Sequence, residues 1–527
     1  MTIEEQAQSL QNFDKAVSFV SNYRALEAKN TELKHQIAFF QKQLFGQKSE
    51  KRHEPDPHQL SLGDSLQGEL QELQKREVAA HSRKQSSRDY GEESKVRFGP
   101  EVPVEEIVLP AQGTEGLSEG KDYEVVSYKE TERLAQRPAA YVVLRYKRPV
   151  VKLLSTGELL STPAPRPALL GQSRSLADVS LLAGIVIDKF QYYLPLYRQH
   201  QRMAASGVSI SRTLLTNWVE EVAEMLFPVY DAQRESVFQS SHLVVDETPI
   251  KAGVNNHKMS QGWFWPVLGE QREIVFEFQR ERSRAALERV LQYWEPPPEQ
   301  RTLLSDGHGA YRRYAAELQG MTHAQCWVHT RRNFIKAEEV EPTLCKELLE
   351  LIGQLYRFEE ESRNKEAEKK LEYRSVHSRP VVIRFFSRLR EIASSSALLA
   401  TTPFSTAVSY ALTRERELSV FLEDPYLPLD TNELERQIRP IPMGRKNWLF
   451  CWTEVGAIYV GILQSLISTC KLHQIDPYTY LVDILLRIGD PRTDDGGEIP
   501  PASELIPRRW KDTFGANLRR SLVHHAG

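Results

Sequence analysis

Several devices that disclose a protein's surroundings are missing from this chain. Cysteine is scarce. Cys326, Cys345, Cys451 and Cys470 are the only four in 527 residues. They form no CxxC pair and no zinc-binding spacing, which excludes a disulfide framework and points to reduced, cytosolic thiols. An excess of charge of one sign is missing too. The formal net charge is −3 at pH 7, so any nucleic-acid surface has to be built from local clusters of Lys and Arg. Long apolar runs are lacking. Val179 to Ile187 is taken as the longest, far short of the ~20 residues that cross a bilayer, and no membrane partner is expected. The start, Met1-Thr2-Ile3-Glu4-Glu5, has neither the basic nor the apolar region of a secretory signal, and none is expected.

What is present is the composition of a globular protein, 40% hydrophobic and 26% charged, in a chain long enough for several domains. Phe19, Leu26, Leu33 and Phe40 recur every seven residues, with Ala16, Tyr23, Asn30, Ile37 and Leu44 at the alternate position. This heptad predicts an N-terminal coiled coil within 1–50, with Asn30 as a polar core residue that could fix register. An amphipathic helix packed on its own domain is the alternative. The polar stretch 51–94 reads as a linker with some helix around Leu66 to Val78. Val102 to Leu109, Tyr123 to Tyr128 and Tyr141 to Tyr146 predict a small β-rich module over 95–165. The Pro-rich segment Thr162 to Pro167 is a connector. Residues 173–240 read as helical: one helix from Ser175 to Phe190, a second from Pro195 to near Gly207, and a third opened by Ser209-Ile210-Ser211-Arg212-Thr213. That arrangement fits a helix-turn-helix DNA-binding region, with Arg212 near the start of the reading helix, or equally a packed helical hairpin.

From 241 the pattern turns to strands. Leu243-Val244-Val245, Gly262 to Leu268 and Ile274 to Phe278 are followed by a helix (Ser283 to Tyr293), a strand (Leu303-Leu304-Ser305), a helix (Tyr311 to Leu318) and a fifth strand, Ala324 to His329. The order is that of a mixed α/β sheet. It is compatible with the first strand lying in the middle, beside the fourth. Residues of about 335–425 read as an all-helical insertion, and helices resume at 431–438 and 455–474. The catalytic domain is expected over 241–475, with a helical segment and tail over 476–527.

Three acids stand out on this frame. Asp246 ends the run His242-Leu243-Val244-Val245, Asp306 ends Thr302-Leu303-Leu304-Ser305, and Glu435 precedes Arg436, Arg439-Pro440 and Gly444-Arg445-Lys446-Asn447-Trp448. An acid at a buried strand tip is costly without a cation. Two such tips at neighbouring strand ends, with a third acid from a helix, would make an oxygen-only cage for Mg²⁺ or Mn²⁺. Paired ions of that kind serve phosphoryl transfer on nucleic acid. Taken singly, each acid is ordinary: an N-cap, a turn, a solvated helix face. Glu247 could also be a ligand, but successive strand residues face opposite ways, which favours a structural role. Glu433 competes with Glu435 for the third position. Arg436, Arg439, Arg445 and Lys446 form the clearest basic cluster, with Trp448 and Phe450 able to stack on a base or to pack in the core. Arg331 and Arg332 are a second phosphate-contacting patch, or partners of Glu338 and Glu339.

Together, Val245-Asp246-Glu247-Thr248, Ser305-Asp306-Gly307, Cys326-Trp327-Val328-His329-Thr330-Arg331-Arg332-Asn333-Phe334, Asn432 with Glu435-Arg436, and Arg439-Pro440 through Phe450 closely resemble the insertion-sequence 66 family of DDE transposases. So do Leu44-Phe45-Gly46-Gln47-Lys48-Ser49-Glu50-Lys51, Leu194-Pro195-Leu196-Tyr197-Arg198, and Lys471-Leu472 with Asp476-Pro477-Tyr478. The resemblance covers nearly the whole chain. It implies a ribonuclease-H-like catalytic core with a helical insertion, and Asp246, Asp306 and Glu435 as catalytic and metal-binding residues. The family motif places the acid directly before Arg436, which selects Glu435 over Glu433. It also implies a bacterial, nucleoid-associated enzyme that acts as a dimer or larger multimer on inverted-repeat ends and target DNA, with accessory proteins encoded by the same element. Two departures follow. Family members often carry a cysteine-based zinc module before the helical region; this chain has no cysteine before Cys326, so no zinc is expected. Position 308 is His where an aromatic is common. The rival readings are a metal nuclease or resolvase that only cleaves, and an inactive DNA-binding repressor.

Overall fold

The computed structural model describes residues 97–521, apart from 101, 138–139, 164, 166–168, 170–175, 255–257, 395–401, 449–450, 452–453 and 490–498. The expected coiled coil and linker lie outside the described residues. The first strands are β1 (Arg97–Phe98), β2 (Val104–Val108), β3 (Tyr123–Arg137), β4 (Ala140–Leu153) and β5 (Leu159–Ser161). β4 pairs antiparallel with β3 along their whole lengths, and its other edge is shared by β2, parallel, and β5, antiparallel. Val142, Leu144 and Tyr146 recur at period two and bury one face of this sheet with Ala135.

Three helices follow: α1 (Val179–Phe190), α2 (Leu196–Ala205) and, after the short strand β6 (Val208–Ser209), α3 (Arg212–Phe238). The helix expected from Ser175 starts later. Asp178 caps α1 by accepting from the Ser180 N–H at 2.9 Å, and the preceding Leu176 carbonyl accepts from the Leu134 N–H of β3. The expected third helix is capped by Ser211, whose hydroxyl accepts from the Leu214 N–H. Between α2 and α3 the chain turns at Gly207, φ +81°, where only glycine is at ease. It then pairs β6 with β1, so a two-stranded ribbon sits where a plain turn was expected.

The main sheet contains β7 (His242–Val245), β8 (Thr248–Val254), β9 (Lys258–Gly269), β10 (Ile274–Gln279), β11 (Thr302–Ser305) and β12 (Thr322–Gln325). Interspersed are α4 (Arg284–Leu291), α5 (Gly309–Glu317) and then α6 (Trp327–Ala337). The strand order is β10-β9-β7-β11-β12, with β8 paired to β9, and β7, β11 and β12 run parallel. The expected placement of the first sheet strand beside Leu303-Leu304 is met. Leu243, Val245, Trp265 and Leu303 pack with Phe238 of α3, Leu287 of α4 and Tyr311 of α5 in one buried cluster.

Two details differ from expectation. β8 is an additional strand, and the expected strand Ala324 to His329 stops at Gln325. Trp327 is fully buried among Phe385 and Phe421, edge-on at 5.4 and 6.4 Å, and its indole N–H donates to the Leu418 carbonyl at 2.8 Å. Seating that ring turns the backbone into a helix despite the strand-like composition.

The expected insertion is helical: α7 (Pro342–Ser362), α8 (Ala367–Tyr373), α9 (Arg379–Ser394), α10 (Pro403–Leu412) and α11 (Glu415–Ser419). Residues 332–350 and 390–410 group as one compact unit, in which Phe334 meets Phe404 edge-on at 6.4 Å. The main sheet and the three acids belong to the other unit.

The chain continues with α12 (Asn432–Ile438), α13 (Pro440–Trp448), α14 (Glu454–Leu472), α15 (Pro477–Gly489), α16 (Ala502–Leu505) and α17 (Pro507–Phe514). Val455–Leu472 is long and apolar enough to cross a membrane, with mean hydropathy 1.4, and exceeds the run Val179 to Ile187 read as longest. Here 72% of it is buried inside the protein. It lies against β10, where Gly461 lets the backbones approach: a Cβ there would come within 2.5 Å of the Phe276 carbonyl oxygen. Its polar residues explain the placement. Ser465 and Thr469 hydroxyls accept from the Phe276 and Ile274 N–H groups at 2.9 and 3.1 Å, satisfying an otherwise open sheet edge.

Candidate metal centre and nucleic-acid interface

The parallel register of β7 and β11 sets Leu303 beside Leu243 and Leu304 beside Val244. Continued past the strand ends, it sets Asp306 beside Asp246. Both acids are half-buried and held by local backbone: the Glu247 N–H donates to Asp246 Oδ1 and the His308 N–H to Asp306 Oδ1, each at 2.8 Å. Burial and then the adjacent Glu247 push the Asp246 carboxyl up to about 7, and the charges of Asp306 and Glu435 add to the push. All three acids therefore share one electrostatic neighbourhood. Among the described residues, neither Asp246 nor Asp306 has an ion pair with Lys or Arg.

Glu247 is treated differently. Its carboxylate is paired with Arg282 and accepts from the Tyr311 hydroxyl, and its side chain is only 2% exposed. The alternation of β7 accounts for this. Leu243 and Val245 face the cluster that holds Tyr311, and Glu247 continues that face, whereas Asp246 falls on the other. Arg282 itself lies 5.3 Å from the Trp263 ring centroid. This clamp was not visible in the sequence, where Arg282 sits in an unremarkable charged stretch.

Glu435 lies in the first turn of α12. Its Oε1 is 3.1 Å from the hydroxyl of Thr431, the residue before the helix. Glu433, two residues earlier, is turned elsewhere and forms an ion pair with Arg272, as two positions on a helix require.

The basic cluster divides. Arg436, Arg439 and Lys446 are exposed on α12, at the helix junction and on α13. Arg445 donates instead to the Pro249 carbonyl and ties α13 to the start of β8. Trp448 packs edge-on against Phe190 at 5.9 Å, with Lys189 above its ring, so it serves packing; Phe450 lies outside the described residues. Arg331 and Arg332 are exposed on α6, and Arg212 is exposed at the start of α3, 5.7 Å from the Tyr197 ring centroid. His308 precedes α5, its ring 6.2 Å from that of Tyr311.

As donors, three carboxylates without a thiolate would suit a hard divalent cation, and among the described residues two of them, Asp246 and Asp306, have no Lys or Arg counterion. Among the described residues no three His, Cys, Asp or Glu side chains stand at coordinating distance. The acids share a field without closing into a cage.

Comparison with known proteins gives one family along most of the chain. Residues 174–458 match the family described as Transposase IS66 family, residues 32–107 match Transposase C of IS166 homeodomain, and residues 465–496 match the IS66 C-terminal element. Relatives in Sinorhizobium fredii (strain NBRC 101917 / NGR234) match three quarters or more of each chain. The uncharacterized protein y4jD is 29% identical over 512 residues, covering 91% of this chain and 94% of the relative. The uncharacterized protein y4hP is 25% identical over 522 residues, covering 92% and 90%. The uncharacterized protein y4qI is 28% identical over 435 residues, covering 79% and 75%.

Proposed function

The chain belongs to the IS66 family of transposases, and from that premise we propose that it binds the terminal inverted repeats of its own element, cleaves the phosphodiester bonds there and joins the freed 3′-hydroxyls to target DNA. The observation that carries this reading is the pair Asp246 and Asp306 on adjacent parallel strand ends, Asp246 in the field of Glu435 and neither, among the described residues, ion-paired with Lys or Arg. In this proposal the sheet is a ribonuclease-H-like core and the three acids are its catalytic and metal-binding residues. Divalent cations of the Mg²⁺ or Mn²⁺ kind, when bound, would supply activation of the attacking oxygen and stabilisation of the leaving one.

The protein's own residues prepare that site. Backbone N–H groups fix Asp246 and Asp306, so their carboxylates need little reorganisation to accept a cation. Arg282 and Tyr311 neutralise Glu247, so the carboxylate beside Asp246 is held away on the other face. Arg436, Arg439 and Lys446 face solvent close in sequence to Glu435 and would neutralise DNA phosphates. Arg331, Arg332 and Arg212 would each contact DNA phosphates as well, Arg212 as part of a helix-turn-helix. Two ends must be held together, so a dimer or larger multimer is expected, with the heptads of 16–44 supplying contacts and accessory proteins of the element assisting.

The test is cleavage and strand transfer on labelled DNA carrying the element's ends, with Mg²⁺ or Mn²⁺, comparing the natural chain with Glu435→Gln. Loss of both reactions with end binding retained is the expected result. Equal activity in the two would remove Glu435 from the site. Cleavage without joining would favour a nuclease, and binding without cleavage in the natural chain a repressor.

A further inference from the structure

Cys326 and Thr431 do something that neither the acids nor the basic cluster requires. Cys326 lies just past β12, fully buried, 105 residues before Thr431. Its backbone N–H donates to the Ser305 carbonyl at 3.2 Å, on the strand that carries Asp306. Its sulfur is 3.3 Å from both the backbone N and the hydroxyl oxygen of Thr431, at the start of the helix that carries Glu435. The next peptide repeats the tie: the Trp327 N–H donates to the Leu429 carbonyl at 3.0 Å. One short segment thus holds the supports of two of the three acids.

The hydroxyl of Thr431 is also 3.1 Å from Glu435 Oε1. A threonine hydroxyl carries a single proton. The carboxylate is a far better acceptor than sulfur, so the proton goes to Glu435. The sulfur then accepts from the Thr431 N–H, and its own hydrogen is free to point at the hydroxyl oxygen. The result is a directed relay, thiol to hydroxyl to carboxylate. Each member is oriented by the one before it, with Cys326 and Thr431 buried (Thr431 is 2% exposed) and Glu435 half-buried.

We propose that Cys326 and Thr431 are positioning residues that fix the direction of the Glu435 carboxylate toward the ends of β7 and β11. This inference rests on the proposed metal-carboxylate site and says how its third acid, delivered by a helix across the insertion, is brought into line with two acids delivered by strands. Neither residue touches DNA or cation; both act through Glu435. Loss of the hydroxyl removes a hydrogen bond that directs the carboxylate, and cation affinity falls by about 10-fold, within the 10–100-fold typical of such outer partners.

The experiment measures Mn²⁺ binding by calorimetry on the full-length chain without DNA, and separately the Mn²⁺ concentration for half-maximal end cleavage. The variants are Thr431→Val, Thr431→Ser, Cys326→Ala, Cys326→Ser and Glu435→Gln. Thr431→Val is expected to weaken Mn²⁺ binding about 10-fold with its melting temperature within a few degrees of the natural chain, while Thr431→Ser restores binding. Cys326→Ala should weaken it by about 3-fold and Cys326→Ser restore it, which tests the relay even if Thr431→Val does not fold. Unchanged Mn²⁺ binding in Thr431→Val and Cys326→Ala, beside a large loss in Glu435→Gln, would overturn the relay and leave the site standing. Unchanged binding in Glu435→Gln would overturn the site itself, and the relay with it.

Discussion

Glu359 in the helical insertion and Asp246 at the end of β7 are both half-buried acids, and the protein treats them in opposite ways. Glu359 takes two hydrogen bonds from Arg374, which is wholly buried. The remaining guanidinium donors go to the carbonyls of Phe421, Asp424 and Leu427, so all five N–H groups are satisfied. Asp246 receives a backbone N–H, lies in the field of Glu247, Asp306 and Glu435, and among the described residues has no ion pair with Lys or Arg. The insertion spends its buried charge on holding one arrangement of helices. The sheet end leaves its charge uncompensated, which destabilises the fold unless a cation arrives from outside. Even within the sheet end the contrast repeats, since Glu247 has the partners that its neighbour lacks.

This contrast can be broken at several points. The largest effect is expected for Asp246→Asn. End cleavage should fall by about three orders of magnitude, since several kcal/mol of transition-state stabilisation are lost. Unfolding in chelator should meanwhile become harder by ~1–2 kcal/mol, because an uncompensated charge is gone. Chemical denaturation beside the cleavage assay checks both, and a variant that lost stability as well as activity would erase the distinction. Next is Arg374→Met, expected to cost ~2–4 kcal/mol because Glu359 loses both guanidinium hydrogen bonds and is left with the Lys370 ammonium at 3.6 Å. The double variant with Glu359→Leu should recover much of that, read as a shift of the denaturation midpoint. Arg282→Met should cost ~1–3 kcal/mol for the same reason at Glu247, softened by Tyr311; a change below ~0.5 kcal/mol would mean that Tyr311 alone suffices.

The smallest effect carries a pH signature. The Glu270 carboxyl is lowered to about 2, first by its hydrogen bond with the His242 ring and then by the Ser241 hydroxyl and the His242 N–H. A carboxyl lowered in the folded state stabilises the fold above its unfolded value of ~4.3 and loses that contribution as pH falls toward 2. Glu270→Gln should therefore cost ~1 kcal/mol at pH 6 and almost nothing near pH 2. Denaturation curves at the two pH values decide it. A pH-independent cost would show that the side chain acts by shape rather than charge.

The sheet was legible because its strands announce themselves. Short β-branched runs ending in acids, separated by amphipathic helices, leave few topologies, and β7 beside β11 is among them. β8 was missed because Thr248-Pro249 and Gly253 dilute its pattern. The helix α13 was missed because Pro440, Pro442 and Gly444 read as loop, although a proline at the first helical position is well tolerated. Trp327 reversed a strand reading by claiming a place in the core of the insertion. The acids were visible one by one, and alternation and the family motif already set Glu247 and Glu433 apart; their partners Arg282, Tyr311 and Arg272 were not visible, since no local pattern reveals them. The link from Cys326 to Glu435 spans 109 positions (435 − 326) and exists only once the chain has returned.

That return has a consequence in time. Asp306 follows Asp246 by 60 residues (306 − 246), but Glu435 follows Asp306 by 129 (435 − 306), the helical insertion lying between. At ~5–20 residues per second of synthesis, the third acid leaves the ribosome about 6–26 s after the second. During that interval the nascent chain has both strand-borne acids of the proposed site and lacks the residue that completes it. A chain that stops inside the insertion, through nonsense mutation or proteolysis, keeps β7 through β12 yet lacks the third acid of the proposed site, and on that proposal it is expected not to cut DNA. The insertion thereby acts as a delay line between making the sheet and arming it.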